Sequence, residues 1–430
     1  MASAFSRYYI REIRKRFPRI DRDFAGNRRI FVDNGAGSLV LREAAEAEMK
    51  ARLDFSANTS AIYPESKGNE EIIENGRKAI SDLLDAPSYK LIFQGESASE
   101  LFFRISYSLR SQFNDGSNVV STYAEHFANV APYLEMKKNG VLSDLRLAKI
   151  SREDGSIDMN DLGSLVNSKT RVIAVTAESN LLGNKTNLED VSKIAKENDS
   201  ILIVDGVHYV PQAYSSVGKY PCDFFVFSSY KVFGPRGSFM YVSKNALSKM
   251  KPYFVDREAT ENTGSYLEPG TRDQSIFAAM SSVVDYLSSL SLDIRKFRVG
   301  KPPKNRRIGV RKGMRRVEIY QQELNRAVLE GIDDAEGLNN IRNVKLYGSR
   351  EPGENRGSTF SFNFTNINDR LAEDLYWKRF RITVVGGSHW NLTHDFLSVP
   401  SMLRATFLHY NTKEEVKEFL LATKWIASRS

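Results

Sequence analysis

Short apolar runs recur along the first half of the chain, each closed by polar or glycine-bearing residues. Tyr89–Phe93, Asn118–Ser121, Arg171–Thr176, Ile201–Val204 and Phe224–Phe227 read as strands, and the most continuous of them suit a parallel sheet buried on both faces. Arg28–Val32 reads as a further short strand. Between them the apolar spacing changes to the helical period over Arg42–Leu53, Glu70–Leu84 and Gln274–Leu290, and a long helix is expected over Met314–Leu329. Ser60–Gly68, with its serines, proline and glycine, reads as a loop. The last part predicts strands at Val344–Tyr347, Ser358–Phe364 and Ile382–Val385 alternating with helices at Asp369–Arg379 and Thr412–Ser428, an α+β pattern suited to a lid.

Two of these runs deliver chemistry. Ile201–Val204 ends at Asp205, and Phe224–Phe227 gives way to Ser228, Ser229, Tyr230 and Lys231 before a turn built on Gly234, Pro235 and Gly237. Ligands in open α/β sheets gather at the carboxyl ends of the strands, so both side chains are expected in one crevice. A lysine amine that condenses with an aldehyde, paired with a carboxylate that keeps a pyridine nitrogen protonated, is what pyridoxal phosphate chemistry needs. Either residue alone is as well read as a surface lysine or a helix-capping aspartate; their joint setting favours the chemical reading.

Composition narrows the class. A chain of 430 residues with 41% hydrophobic content exceeds one core, so two domains are expected. One cysteine excludes an internal disulfide and fits a reducing compartment. No run approaches the eighteen or so apolar residues of a membrane span, so a cytoplasmic protein without membrane contact is expected. The net charge of +8 is concentrated between Ile294 and Val317, where eleven Lys and Arg residues meet no acid. That run lacks interleaved aromatics for base stacking, which disfavours nucleic acid; a solvated loop and helix start is expected.

The strings VDGVHYVPQ around Asp205 and FSSYKVFGPRG around Lys231 resemble the signature blocks of the class V aminotransferase group, fold-type I pyridoxal phosphate enzymes, and within it the cysteine-desulfurase-like, selenocysteine-lyase-like subfamily. The resemblance runs by blocks from about Phe31 to the C-terminus. It implies an α/β fold with a large domain, 31–295, built on a mostly parallel seven-stranded sheet; a smaller α+β domain, 296–430; and an N-terminal arm or helix, 1–30, on the small-domain side. It implies pyridoxal 5'-phosphate as cofactor, a small amino acid as substrate and a homodimer with shared sites.

Residue by residue, the resemblance places Lys231 on the cofactor aldehyde and Asp205 on the ring nitrogen. His126, in the string AEHFANVAPY, stacks on the ring and can move a proton. The Gln94-to-Glu100 turn is the phosphate cup, with Ser97 and the amide of Glu96 assigned to it, and Ser228 and Tyr230 are further cofactor-binding residues. Asn180 and His208 face the phenolic oxygen, His208 standing where many relatives carry glutamine. Thr271 reaches a partner's phosphate. Ala36, Gly37, Asn180 and His389 line the substrate side, and Arg404 clamps the substrate carboxylate, a task suited to its planar guanidinium.

One absence decides between reactions. In the desulfurases a nucleophilic cysteine sits on a loop of the small domain; the matching stretch here, Val384 to Asn391, has none, and Cys222 lies before the strand leading to Lys231. A persulfide relay is disfavoured. What remains is a lyase or epimerase acting at the α-carbon of a small amino acid, with Lys231 as general base. An aminotransferase and a sulfur or selenium lyase working without a catalytic cysteine stay open, as does a basic binding protein on a disabled enzyme fold.

Overall fold

In the computed structural model, residues 3–253, 266–299 and 303–429 are described. The larger sheet contains β1 (Ile92–Gly95), β2 (Asn118–Thr122), β3 (Asp144–Ala148), β4 (Thr170–Thr176), β5 (Ile201–Asp205), β6 (Phe224–Ser228) and β7 (Ser238–Val242). Their order is β1-β7-β6-β5-β4-β2-β3, and only β7 runs against its neighbours. Residues of β1, β2, β5, β6 and β7 are buried throughout, as expected where helices cover both faces of a sheet.

A hairpin of β8 (Gly331–Ile332) and β9 (Ala335–Glu336) follows the long helix Arg306–Glu330. A second, antiparallel sheet then forms from β10 (Val344–Tyr347), β11 (Thr359–Phe364), β12 (Val385–Gly387) and β13 (Met402–Thr406), in the order β10-β11-β13-β12. The chain is therefore α/β with a mostly parallel seven-stranded sheet and a smaller α+β unit.

Four expectations are corrected. Arg28–Val32 forms no strand: Arg28 bridges to Arg22 and Ile30 to Ile382, each as an isolated pair, so the segment ties the arm to the residues leading into β12 without joining a sheet. Part of the expected loop Ser60–Gly68 is helical, because Pro64 opens the helix Pro64–Leu83, where a proline's missing N–H costs nothing. Gly68 is tolerated inside it because a Cβ there would overlap the Phe55 ring. The strand expected at Ile382–Val385 forms later, as β12, and the helix at Asp369 ends at Leu375 in a π-turn over Tyr376–Phe380.

The N-terminal helix Arg7–Arg14 leads to Phe17, which is buried against Phe233, Tyr286 and Tyr410. Three arginines of the basic run turn inward, and the other described basic side chains in it are exposed. Arg306 and Arg307 pair with Asp82, and Arg316 donates to the carbonyls of Ala4, Leu290 and Leu292 while lying over Phe5 and Tyr9. No helix among the described residues is long and apolar enough to cross a membrane.

Candidate active site

A small cavity opens at the carboxyl ends of β4, β5 and β6. Ser97, Ala98, Ser99, Phe102, His126, Ala128, Thr176, Glu178, Asn180, Asp205, Val207, His208, Ser228, Tyr230 and Lys231 line it. Its mix of apolar wall and few convergent polar groups suits a small-molecule site. A larger, more open groove runs past Tyr209, Arg311 and Glu354, and neither Lys231 nor Asp205 lines it.

Asp205 is the last residue of β5, and one of its oxygens accepts the Val207 N–H at 2.9 Å. Burial raises it to about 6, against that hydrogen bond and the nearby Lys231 charge. Lys231 closes the short turn Ser229–Lys231 that follows β6. Its amine donates to the Gly35 carbonyl at 2.9 Å and lies 2.9 Å from His208 Nε2. Burial lowers the amine to about 7, helped by the Arg404 cation and opposed by Asp205 and Asp33. Near neutral pH the lysine is thus divided between ammonium and nucleophilic amine.

Both histidines are neutral. His126 Nδ1 accepts the Ala128 N–H at 3.1 Å, which leaves the ring proton on Nε2. Burial, then the Lys231 and Arg404 charges, bring it down to about 4. The same three causes hold His208 well below its usual value.

Ser97 caps the helix Ala98–Ser108, its hydroxyl accepting the Glu100 N–H at 3.1 Å. The first amides of that helix supply the donors and positive dipole end that an anion needs. The Glu96 side chain is exposed and does not line the cavity. Ser228 pairs with Ser238 at 3.1 Å, and the Tyr230 ring packs on Gly37, where a Cβ would come within 3.3 Å.

Above the cavity Asn180 acts as a junction. Its amide donates to the His389 carbonyl at 2.9 Å, its side-chain oxygen accepts from Asn391 at 2.6 Å, and its own carbonyl accepts Arg404 NH1 at 3.0 Å. Arg404 sits in β13, and burial lowers it to about 10 while Asp33 opposes the change. His389 and Trp390 take left-handed backbone angles, φ 48° and 53°. The His389 ring is spent on the Met402 carbonyl at 2.9 Å and does not line the cavity.

Lys231, Asp205, His126, His208, Asn180, Ser97, Ser228 and Tyr230 therefore come together around one space. Ala36 and Gly37 border the site from the loop that holds Lys231, without lining the cavity itself. Thr271 lies apart, in a depression with Asn58, Thr59 and Gln274. Sequence reasoning passed over Thr176, Glu178 and Asp33. Glu178 is buried, receives Gln212 Nε2, and is pushed up to about 8 by burial. Its position two residues after a buried strand, like that of Asn180 at four, was the available signal.

A buried amine and a buried carboxylate at neighbouring strand ends of a mostly parallel sheet, under a small α+β unit, define a fold-type I pyridoxal phosphate architecture. The chain belongs to the family described as Aminotransferase class-V, whose model matches residues 30–298 and 293–419. It is 26% identical over 432 residues to a cysteine desulfurase of Salmonella agona, covering 95% of each chain. It is 24% identical over 422 residues to one of Yersinia pseudotuberculosis, again with 95% of each covered. In fold it is similar to the apo cysteine desulfurase of Thermococcus onnurineus, with a TM-score of 0.81, 23% identity, and 97% and 98% of the two chains covered. The family's cofactor is pyridoxal 5'-phosphate, and the residues present fit it: an amine held near its free-base range, a buried carboxylate with one hydrogen bond, and a capped helix N-terminus in one cavity.

Proposed function

We propose that this enzyme acts at the α-carbon of a small amino acid, as a lyase or epimerase, without a persulfide-forming cysteine. The observation that carries the reading is that Lys231 and Asp205 share a cavity reached by no thiol: Cys222 is buried beyond the far end of β6, where burial pushes it well up. When bound, pyridoxal phosphate supplies an aldehyde for the substrate nitrogen and a ring that delocalises the electrons left at the α-carbon.

The chain's residues supply the rest. Lys231 Nζ would hold the cofactor and would take or return the α-proton of the substrate, its lowered basicity keeping it usable near neutral pH. The Asp205 carboxylate would keep the ring nitrogen protonated, and His126 would stack on the ring and could move a proton through its Nε2–H. His208 and Asn180 would face the phenolic oxygen, Ser97 and the Glu96 amide would hold the phosphate, and Ser228 and Tyr230 would complete the cofactor site. Arg404 binds the substrate carboxylate, beside Ala36, Gly37 and the His389 turn.

The same reading divides the chain into 1–30, 31–295 and 296–430 and makes it a cytoplasmic homodimer. In support, Thr271 is placed outside its own chain's cavity, while Met49, Leu53 and Ile62 expose apolar side chains nearby. Arg52 pairs with Asp273 at 2.9 Å, tying that face to the Thr271 segment.

The test is a panel of amino acids that includes cysteine, cystine and alanine, assayed for keto acid, sulfide and racemised product. Sulfide or racemised product without a stable amine form of the cofactor supports the proposal. Conversion by an amino donor alone to that amine form establishes an aminotransferase instead.

A further inference from the structure

An amino acid in water carries its nitrogen as an ammonium, which has no lone pair and cannot attack a carbon until a proton leaves. A base must stand close to the group that binds the carboxylate. Arg404 is that group in the proposed reading, on which this inference rests, and the acceptors around it are nearly all taken. His126 Nδ1 is occupied by the Ala128 N–H. Asp205 is engaged with Val207, and His208 Nε2 with Lys231. His389 has one nitrogen on the Met402 carbonyl, and burial together with the Arg404 charge holds it down to about 3.

Asp33 differs. Its Oδ1 is buried and accepts no hydrogen bond, and it stands 3.8 Å from Arg404 NH2. The guanidinium Nε is likewise buried and unpartnered. Arg404 thus keeps donors free for a carboxylate with an uncommitted carboxylate alongside. The loop that carries Asp33 also carries Gly35, whose carbonyl holds Lys231. Asp33 is therefore beside the cation that would bind the substrate, on the loop that holds the amine the substrate must displace.

We propose that Asp33 accepts the proton of the substrate's α-ammonium. One N–H bond of the ammonium breaks, its electron pair stays on nitrogen, and an O–H bond forms on an Asp33 carboxylate oxygen. No oxidation state changes, and the proton returns to solvent when product leaves. The charged groups facing Asp33 are Arg404 on β13, Lys231 after β6 and Glu373 on the helix Asp369–Leu375; the Ala36 amide faces it from its own loop. Burial raises the carboxyl, and Arg404, Lys231 and that amide oppose the change.

The experiment compares wild type and Asp33→Asn, both loaded with cofactor, through the change in visible absorption on adding L-alanine, and through competition by propionate, which has the carboxylate without the nitrogen. Asp33→Asn is expected to slow the alanine-induced change about 100-fold at pH 7 while propionate binds as well or better, Arg404 having lost its counter-charge. The wild-type rate falls with acid as Asp33 is protonated. The variant's rate should climb about tenfold per pH unit through neutrality, because only free substrate amine then reacts.

A variant with the wild-type rate and pH profile overturns the proposal, and so does equal loss of alanine and propionate binding, the mark of a structural role. Should Asp33→Asn fail to take up cofactor, Asp33→Glu decides: a wild-type pH profile supports the proposal, and joint loss of both ligands overturns it. If wild type itself responds to no amino acid, the α-carbon reading has failed instead.

Discussion

The Lys231 amine donates to the Gly35 carbonyl at 2.9 Å, and the same glycine is pressed against the Arg404 guanidinium, where a Cβ would lie 2.9 Å from Cζ. One backbone position thus registers the amine proposed to take the cofactor against the cation proposed for the substrate. A methyl group at Gly35 must displace Arg404 or Thr406, whose hydroxyl would be 2.8 Å away. Overpacking of this kind costs about 1–3 kcal/mol. Gly35→Ala is expected to weaken amino-acid binding roughly 10- to 100-fold with cofactor still taken up, which a spectral titration with alanine would measure.

In the proposed reading, cofactor capture depends on a neutral Lys231 amine. Because that lysine titrates at about 7 in the folded protein, far below its usual range, the amine is free above that pH and charged below it. The rate of cofactor uptake by the apo-protein should be flat above about pH 7 and fall about tenfold per unit below it. A midpoint near the ordinary lysine value, seen by rapid-mixing absorbance, would remove the basis for this statement.

Arg404→Lys keeps a positive charge but loses the fork geometry that pairs two oxygens. Substrate binding should weaken about 10- to 100-fold, shown as a raised KM, with cofactor affinity within about threefold of wild type. Equal loss of both would make Arg404 a folding residue.

Phe17 has an effect beyond its own segment. It is 1% exposed and packs edge-on against Phe233, whose φ of 65° is unusual for a bulky residue and which lies two positions after Lys231. Phe17→Ala should destabilise the protein by about 3–5 kcal/mol, measured by denaturant unfolding. It should also slow cofactor uptake, because the Phe233 conformation loses one wall of the box that holds it.

What could be read in the sequence follows from how locally each feature is encoded. The strands bearing Asp205 and Lys231 were legible because a continuous apolar run bounded by polar residues needs no distant partner to be recognised. Arg28–Val32 misled for the opposite reason: its apolar character serves contacts with Ile382 and Thr383, just before β12, made one residue at a time. Gly68 looked like a loop residue because nothing in its neighbourhood reveals the Phe55 ring that excludes a side chain there. Asp33 and Glu178 escaped notice because an acid becomes unusual only through what surrounds it, here Arg404 and Lys231 in one case and Gln212 in the other. The His389 turn was placed at the site, yet its ring proved committed to Met402 by a backbone conformation that no local pattern announces.

The central claim is that Lys231 is the residue that takes the cofactor covalently. Borohydride reduction of the reconstituted protein fixes that bond, and peptide mass mapping then locates it. The account predicts one modified peptide, carrying the reduced cofactor on Lys231, and neither modification nor visible absorption in Lys231→Ala. A label on another lysine, or a yellow Lys231→Ala protein that still turns over, would contradict it.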